Sequence, residues 1–318
     1  MMKIAILDDV QDVVKNLSCF QLLQNHDVKI FNSSAKGIGQ LAIRLAPFEA
    51  LALIRERTSL SRALLAKLPN LKVISQTGKV SGHIDMAAVA ELGITVLEGL
   101  GDPTAPAELT WTLIMAAQRK IPQYMKQLSN GVWQTASLDL GANTLGVRLK
   151  GQTLGIWGYG KIGQLIAGFG KAFGMQVLVW GSEASRELAQ QHGFSAAASK
   201  EQFFSELDVL TLHLRLCPGT RGIILKSDLE RLKPGALVVN TSRAELIEAG
   251  ALLAAALRGQ PIAVDVFETE PLAADSPLLR LENVLCTPHL GYVEQHSYEM
   301  YFSAAFQNIV DYSQQKNS

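Results

Sequence analysis

The sequence predicts an α/β protein built from two doubly wound parallel-sheet units. Short runs of β-branched and other apolar residues alternate with segments whose apolar residues recur at helical spacing, which is the pattern of parallel sheets. One series of runs precedes residue 100 and a second follows residue 150. The chain has 318 residues, 48% of them hydrophobic, and this is enough for two domains with separate cores.

The predicted strands follow one another along the chain as short apolar runs. The first unit contains KIAILDD, ALALIRE, KVISQTG and ITVLEG, and the second contains TLGIWGYG, QVLVWGS, VLTLHL, ALVVNTS, PIAVDVF and VLCTPHL. Apolar spacing predicts helices over 161–173 and 245–258. Between the units, 100–150 is interpreted as a hinge and a dimer-forming segment, with a helix over roughly 107–120. One amphipathic helix is predicted over 295–315, packed back on the first unit.

The composition argues against several classes of partner and against secretion. Lys and Arg number 29, as do Asp and Glu, so no basic surface for nucleic acid or for a membrane is expected. The N-terminal apolar run is too short for a signal peptide, and no run reaches the ~18 apolar residues of a membrane span. Cys19, Cys217 and Cys286 are odd in number and far apart, which argues against disulfides and a zinc site. We therefore expect a cytoplasmic protein with a small-molecule partner and no metal.

The glycine-rich stretch GIWGYGKIG, at 155–163, is predicted to bind a dinucleotide. It follows a strand and opens a helix, which is the context that the glycine fingerprint requires. In this interpretation Gly158 permits the tight turn, Gly160 lets backbone N–H groups approach a pyrophosphate, and Gly163 lets helix and strand pack closely. The helix N-terminus favours the anion. A turn without a ligand is the alternative. The candidate cofactor-binding residues here are Gly158, Tyr159, Gly160, Lys161, Ile162 and Gly163.

The end of the next strand, QVLVWGSEAS, bears on the choice between NAD and NADP. An acidic residue that binds the ribose hydroxyls is expected there, about twenty residues after the glycines. Gly181 stands at that position instead. NAD(H) is preferred in this interpretation, with Gly181, Ser182 and Glu183 as contacts. NADP(H), which would need an arginine, stays open through Arg186.

Several separated segments together resemble the D-isomer-specific 2-hydroxyacid dehydrogenase family. They are AELTWTLIMAA, LKGQTLGIWGYGKIG, DVLTLHL, KPGALVVNTSRAELI, DVFETEPL and TPHLGY, in the family's order. The resemblance implies a Rossmann-type dinucleotide domain over 102–290 and a flavodoxin-like substrate domain over 1–101 and 291–318, with a cleft between them. It also implies a homodimer, and hydride transfer between a nicotinamide cofactor and C2 of a small 2-oxoacid or D-2-hydroxyacid.

The resemblance assigns three catalytic residues. Arg243, after the strand ALVVNTS, would hold the substrate carboxylate and polarise the carbonyl. His289 would be the general acid/base, and Glu270 would favour the charged form of its imidazole. Taken singly, each residue has an ordinary alternative: a surface arginine, a structural histidine, and a solvated acid beside Glu268.

The same resemblance implies further contacts on both units. Asp265 and Gly291 match residues at the nicotinamide amide, although a strand-end aspartate could simply cap a turn, and His213 could be a buried core histidine. The substrate would meet backbone N–H groups of the loop after KVISQ, where Lys79 replaces the usual apolar residue. The candidate cofactor contacts are His213, Thr241, Asp265 and Gly291, and the candidate substrate contacts are Arg55, Gly78, Lys79 and Arg243. For Arg55, which follows a predicted strand, the alternative is a solvated charge cluster with Glu56 and Arg57.

Two departures from the family pattern leave questions for the structure. Ala244 replaces the glycine that follows the catalytic arginine, and the segment between Arg243 and Glu270 is shorter than in the family. The shortening alters the loop at 259–261, away from the chemistry, or else it displaces Glu270. Two rival functions also stay open: a dinucleotide-sensing corepressor of the same fold, and a catalytically silent homologue that would be expected to lack one of the three catalytic residues.

Overall fold

A computed structural model describes residues 1–35, 37–139 and 143–315. The chain divides into two compact units. The first consists of Met1–Asp102 together with the C-terminal segment that starts at Glu294, and the second is Pro103–Val293.

The first unit is built on a parallel sheet of five described strands. They are β1 (Lys3–Ile6), β2 (Asp27–Ile30), β3 (Ala50–Leu53), β4 (Val73–Gln76) and β5 (Thr95–Glu98). Their order is β2-β1-β3-β4-β5 and each described pair is parallel. This is the flavodoxin-like doubly wound order, in which the strand order reverses between β1 and β3. All residues of β3 and β4 are buried, which explains why β3 is a continuous apolar run, whereas β4 ends in the buried polar residues Ser75 and Gln76.

Short helices connect these strands. They are α1 (Ile38–Leu45), α2 (Arg62–Leu65) and α3 (Met86–Glu91), with 3-10 helices at Val14–Asn16 and Ser18–Leu23. Asp85 is the N-cap of α3, and its carboxylate accepts a hydrogen bond from the Ala88 N–H at 2.9 Å. This bond satisfies one of the free N–H groups of the first turn.

The second unit is a parallel sheet of seven described strands. They are β6 (Thr153–Trp157), β7 (Gln176–Trp180), β8 (Ser195–Ala196), β9 (Val209–Leu212), β10 (Leu237–Asn240), β11 (Ile262–Val264) and β12 (Val284–Cys286). The order is β12-β11-β10-β9-β6-β7-β8, with every described pair parallel. Counted from β6, this is the Rossmann order extended by one strand, with its switch point between β6 and β9.

The helices of the second unit are α4 (Thr104–Gln118), α5 (Ile121–Ser129), α6 (Lys161–Ala172), α7 (Glu183–Gln191), α8 (Lys200–Ser205), α9 (Lys226–Leu229) and α10 (Ala251–Leu257). The single helix predicted over 245–258 is wrong. A 3-10 turn at Ala244–Leu246 ends where Ile247 becomes extended and bridges to Ile224, and Gly250 then adopts a left-handed φ of 73° before α10. The apolar spacing of this segment favours a helix, but the bridge between buried Ile247 and Ile224 holds residue 247 in an extended conformation.

The C-terminal helix α11 (Gln295–Gln315) belongs to the first unit. Its buried face packs on the 3-10 helix at Ser18–Leu23 and on β4. Glu299 accepts hydrogen bonds from the N–H groups of Ser18 and Cys19, at 3.0 and 2.6 Å. The buried residues of α11 are Ser297, Tyr298, Tyr301, Phe302, Ala305, Phe306 and Ile309.

Within residues 1–35, 37–139 and 143–315, no helix is both long and apolar enough to cross a membrane. The same residues contain no group of three or more His, Cys, Asp or Glu side chains arranged to hold a metal ion. The three cysteines are unpaired, with Cys19 buried and Cys217 exposed.

Candidate active site

The glycine loop lies between β6 and α6, at the switch point of the second sheet. Gly158 has φ 101°, and a Cβ on it would lie 2.6 Å from the carbonyl oxygen of His213. A Cβ on Gly163 would collide with the Gly158 carbonyl oxygen. Around Gly160, by contrast, no described atom lies within 4 Å of the Cβ position. The fold therefore needs the first and third glycines for its own packing, whereas the second keeps open a surface on which a pyrophosphate could lie.

The other residues of the loop differ in what they can offer a cofactor. The Tyr159 side chain is 3% exposed, and its hydroxyl lies 3.1 Å from Nδ1 of His192. The Tyr159 side chain therefore packs in the core, and only the backbone N–H and carbonyl groups of this residue could contact a ligand. Ile162 is half-buried against the core, while Lys161 is exposed at the first residue of α6.

The end of β7 carries no carboxylate. Gly181 occupies the position, and Ser182 caps α7 by accepting a hydrogen bond from the Ser185 N–H at 3.3 Å. Glu183 is exposed at the first residue of α7. The guanidinium carbon of Arg186 lies 5.0 Å from the centre of the Trp180 ring, and no described residue hydrogen bonds to the buried Nε of Arg186.

His213 supports the glycine loop from the end of β9. The backbone N–H of His213 donates to the Trp157 carbonyl at 2.8 Å, and the ring atom Nε2 lies 2.9 Å from the Thr211 hydroxyl. Burial lowers the pKa of His213 to about 3, so the imidazole is neutral at physiological pH. The structure therefore places His213 as a half-buried, neutral histidine whose backbone carbonyl limits the space at Gly158.

Arg243 follows β10, at the carboxyl end of the sheet. The Asn240 side-chain amide donates to the Arg243 carbonyl at 2.9 Å and accepts from the Ser242 N–H at 3.0 Å. The Arg243 guanidinium donates to the Ser242 carbonyl at 2.7 Å. Thr241 contacts Thr110 of α4 through their hydroxyl oxygens, 2.7 Å apart. Asn240 was not predicted, and its signal is a polar amide at the last position of an apolar strand.

Asp265, after β11, anchors the loop that carries His289. Its Oδ1 accepts hydrogen bonds from the Thr287 hydroxyl at 2.6 Å and the Leu290 N–H at 2.7 Å, and its Oδ2 accepts from the Gly291 N–H at 2.9 Å. Burial raises the pKa of Asp265, against the opposing effect of these hydrogen bonds. The side chain is fully buried. Asp265 and the Gly291 N–H are thus engaged with each other, which is the turn-capping arrangement.

The side chains of His289 and Glu270 are hydrogen bonded to each other. Nδ1 of His289 lies 2.7 Å from Oε2 of Glu270, and Oε1 accepts from the Phe267 N–H at 3.0 Å. Nε2 of His289 has no hydrogen-bond partner among the described residues, so this edge of the ring can exchange a proton. Glu268 is separate from the pair because it accepts from the Gly250 N–H at 3.0 Å.

Neighbouring groups favour the ionised form of the Glu270 carboxyl. Burial of the Glu270 carboxyl opposes ionisation, but the hydrogen bond and charge of His289, the Phe267 N–H and the charge of Arg243 outweigh it. The pKa of Glu270 is consequently lowered. Arg243 and His289 therefore both act electrostatically on Glu270 within the second unit. The short segment before Glu270 does not prevent its contact with His289.

The candidate substrate residues of the first unit lie at the carboxyl ends of β3 and β4. Arg55 follows β3 and has φ 50°, and Gly78 follows β4 with φ 104°. No acceptor in the described part of the chain takes the N–H of Gly78 or that of Lys79. The Lys79 side chain is 73% exposed, and its Nζ lies 2.7 Å from a carboxylate oxygen of Glu98. This ion pair accounts for the lysine at a position where an apolar residue is usual.

Known proteins share both the sequence and the fold. The family model of the D-isomer specific 2-hydroxyacid dehydrogenase NAD binding domain matches residues 111–291, more than half of the chain. The chain belongs to this dehydrogenase family. It is 36% identical to a glyoxylate reductase of Aeropyrum pernix over 259 residues, which cover 80% of this chain and 76% of the relative.

Two further relatives of this family carry phosphoglycerate names. A crystal structure of a phosphoglycerate oxidoreductase from Vibrio cholerae is 58% identical, with a TM-score of 0.95 and coverage of 99% of this chain and 100% of the other. A D-3-phosphoglycerate dehydrogenase of Methanocaldococcus jannaschii is 36% identical over 75% of this chain and 45% of its own length. The chain thus spans about half the length of that curated relative.

Proposed function

We propose that this protein is a nicotinamide-dependent oxidoreductase that transfers a hydride between the cofactor and C2 of a small 2-oxoacid or D-2-hydroxyacid. The observation that carries the proposal is the 2.7 Å contact between His289 and Glu270, with the charge of Arg243 acting on the same carboxylate. In this proposal the unit 103–293 binds the dinucleotide and the first unit binds the substrate. The family match over 111–291 supports the first of these assignments.

The three side chains divide the chemistry of 2-oxoacid reduction among them. Arg243 holds the carboxylate with its planar fork and polarises the neighbouring carbonyl. His289, with Nδ1 bound to Glu270, donates a proton from Nε2 to the carbonyl oxygen. Glu270 fixes the orientation of the ring and stabilises the imidazolium before the transfer. A nicotinamide cofactor held by the second unit would supply or accept the hydride.

The fit of a dinucleotide rests on the open space at Gly160 and on the N-terminus of the twelve-residue helix α6. The N–H groups at that end of the helix would hold the pyrophosphate, with Lys161 exposed beside them. Each of these groups is part of the second unit and follows β6 directly. Asp265 contributes indirectly in this proposal, by holding the loop of His289 in place.

The enzyme uses NAD(H) and also accepts NADP(H). Gly181 leaves the end of β7 without the carboxylate that would repel a 2′-phosphate, and Arg186 lies one turn into α7. Arg186→Met should raise the KM for NADPH and leave that for NADH unchanged. Gly181→Asp should act through repulsion and shift the preference toward NADH. Equal effects of each variant on both cofactors would contradict this role of the loop.

Steady-state reduction of a panel of 2-oxoacids, with NADH and with NADPH, tests the activity. Oxidation of either cofactor that depends on a 2-oxoacid is the expected result. If the purified protein bound a cofactor tightly but oxidised neither with any substrate, the enzyme proposal would fail. The dinucleotide-sensing corepressor function would then be the better explanation.

A homodimer is also part of the proposal. Ile121, Met125 and Leu128 lie one helical turn or two apart on α5, and all three are exposed. Trp133, which follows α5, is 75% exposed. A surface of this kind is costly to leave in water, and a second copy of the chain would cover it. Met125→Glu should convert the dimer to a monomer in light scattering, whereas an unchanged mass would rule out this surface as the interface.

A further inference from the structure

A polar amide ends the apolar strand β10. Asn240 is 1% exposed and follows three buried apolar residues. A buried amide is costly unless it is hydrogen bonded, and Asn240 uses both of its polar atoms. Its Oδ1 accepts from the Ser242 N–H at 3.0 Å, and its Nδ2 donates to the Arg243 carbonyl at 2.9 Å. The side chain of Asn240 therefore holds the main chain of two consecutive residues, the second of which is the arginine.

The main chain around Arg243 is held by further hydrogen bonds. We call residues 240–243 the arginine loop. The Leu246 N–H donates to the Arg243 carbonyl at 3.3 Å, beside the bond from Asn240. The Ser242 hydroxyl donates to the Leu212 carbonyl of β9 at 2.6 Å, and β9 is the strand paired with β10. The point from which the Arg243 side chain leaves the backbone is thus fixed by its own strand and by the next one.

Helix α4 holds the same loop from another direction. The Thr110 hydroxyl oxygen lies 2.7 Å from the Pro106 carbonyl and 2.7 Å from the Thr241 hydroxyl. A carbonyl can only accept, so Thr110 donates to Pro106 and accepts from Thr241. Thr110 is fully buried, so water does not compete for this bond. The three residues form a directed chain of hydrogen bonds from the arginine loop into the first turns of α4.

These contacts matter because an arginine is a long side chain with large rotamer entropy. Displacement of a binding group by about 1 Å can lower the rate of a reaction by roughly 100-fold. Asn240, Ser242 and Thr241 attach the arginine loop to β10, β9 and α4, which all belong to the second unit. With the loop held in this way, only the side-chain torsions of Arg243 have to be fixed when a substrate binds.

We infer that Asn240 and Thr110 are positioning residues, which hold the arginine loop so that Arg243 meets the carboxylate of the 2-oxoacid in the correct orientation. The inference rests on the proposed function, in which Arg243 binds that carboxylate. The alternative is that Asn240 only caps a turn. A turn cap would contribute to stability, and its loss would not act on the substrate through Arg243.

Replacing Asn240 by leucine removes both hydrogen bonds with a side chain of similar size. Asn240→Leu should raise the KM of a 2-oxoacid by about 5- to 50-fold, since two hydrogen bonds are lost, and should leave the Kd of the cofactor unchanged. Asn283→Leu is the matched control. The Asn283 amide donates to the Ala256 and Gln260 carbonyls at 2.9 and 2.7 Å, but it precedes β12, at the opposite edge of the sheet. Asn283→Leu should lower the Tm and leave the KM unchanged.

A double-mutant cycle between Asn240 and Arg243 separates positioning from stability. Arg243→Ala should raise the KM about 10- to 100-fold in the wild type, but only about 2- to 3-fold in Asn240→Leu, where the arginine is already misplaced. If circular dichroism shows that Asn240→Leu has lost its fold, Asn240→Asp takes its place in the cycle. The aspartate keeps the acceptor for the Ser242 N–H and removes only the donor to the Arg243 carbonyl.

The contact from α4 is tested by Thr110→Val, which keeps the shape of the side chain and removes its hydroxyl. The KM of the 2-oxoacid should rise about 3- to 10-fold, as expected for one lost hydrogen bond, and Thr110→Ser should restore it. Thr112→Val is the control, because the exposed Thr112 hydroxyl donates to the Glu108 carbonyl on the same helix. An unchanged KM in Thr110→Val, or an equal rise in Thr112→Val, would overturn the role of Thr110.

The inference and the proposed function fail in different ways. If the wild type reduces 2-oxoacids but Arg243→Ala has the same effect with and without Asn240, the inference is overturned and the proposed function stands. An equal rise of KM in Asn240→Leu and Asn283→Leu would also overturn it. A wild-type protein that reduced no 2-oxoacid would overturn the proposed function, and this inference with it.

Discussion

Replacing Glu270 by glutamine should move the pH profile of reduction toward lower pH. The substitution keeps the size of the side chain and removes its charge, while Nδ1 of His289 keeps an acceptor at the 2.7 Å position. Reduction needs a protonated His289, so activity falls as the pH rises and the imidazolium loses its proton. Without the carboxylate the imidazolium is less stable, and the fall should begin earlier.

The size of the shift follows from the geometry of the pair. Two unit charges about 4 Å apart interact by about 4 kcal/mol at an effective dielectric constant of about 20. The side chains of His289 and Glu270 are 31% and 36% exposed, and screening by solvent reduces the interaction to roughly 1–2 kcal/mol. Since about 1.4 kcal/mol corresponds to one pH unit, the fall should move down by about one unit.

The assay is kcat/KM for a 2-oxoacid measured across the pH range, with Glu268→Gln as the matched control. Glu268 lies in the same loop but accepts from the Gly250 N–H, so its profile should coincide with that of the wild type. The pKa of Glu270 is below its ordinary value of 4.5, so the negative charge of this carboxylate is present above that value and is lost only as the pH falls through the lower one. A Glu270→Gln profile that fell at the wild-type pH would refute the coupling.

Three further substitutions test separate parts of the site. Gly163→Ala should lower the free energy of unfolding in urea by about 1–3 kcal/mol, because its Cβ would collide with the Gly158 carbonyl. Gly160→Ala should leave the free energy of unfolding unchanged and should weaken cofactor binding in a fluorescence titration. Equal effects of the two would contradict their assigned roles. Arg243→Ala should raise the KM of the 2-oxoacid about 10- to 100-fold and slow the chemistry; an unchanged KM would place the arginine outside the site. His289→Ala should lower kcat by about 10²- to 10⁴-fold at constant cofactor Kd, and a matching loss of affinity would argue against the acid/base role.

Much of the architecture follows from local apolar pattern, and the missed elements show where that pattern fails. The alternating exposure of β2 (Asp27–Ile30) gives no continuous apolar run, and β8 has two residues. Both are the last strand on one edge of the described sheet, so each pairs with a described strand on one side only. The predicted helix over 245–258 was broken by a contact with residue 224, which local spacing cannot reveal.

The site was predictable to the extent that its residues follow strands. Arg243 comes after β10, Glu270 after β11 and His289 after β12, and the carboxyl ends of neighbouring parallel strands share one edge. Sequence alone could not show that Asp265 turns to accept the N–H groups of Leu290 and Gly291. Nor could it show the hydrogen bond of 2.8 Å from the Gln76 side-chain amide to the Arg55 carbonyl, since this bond depends on a side-chain rotamer and on the left-handed main chain at Arg55.

The C-terminal helix α11 has a consequence for engineering by domain exchange. Because its buried face packs on the 3-10 helix at Ser18–Leu23 and on β4, the first unit is completed by a segment that follows the whole second unit in the sequence. A chimaera that replaces only residues 1–102 would pair a foreign sheet with the native helix and leave both surfaces mismatched. Grafting residues 294–315 together with that segment should preserve the fit. Such a swap would transplant the first unit whole, while Glu270 and His289 stay in their own polypeptide context.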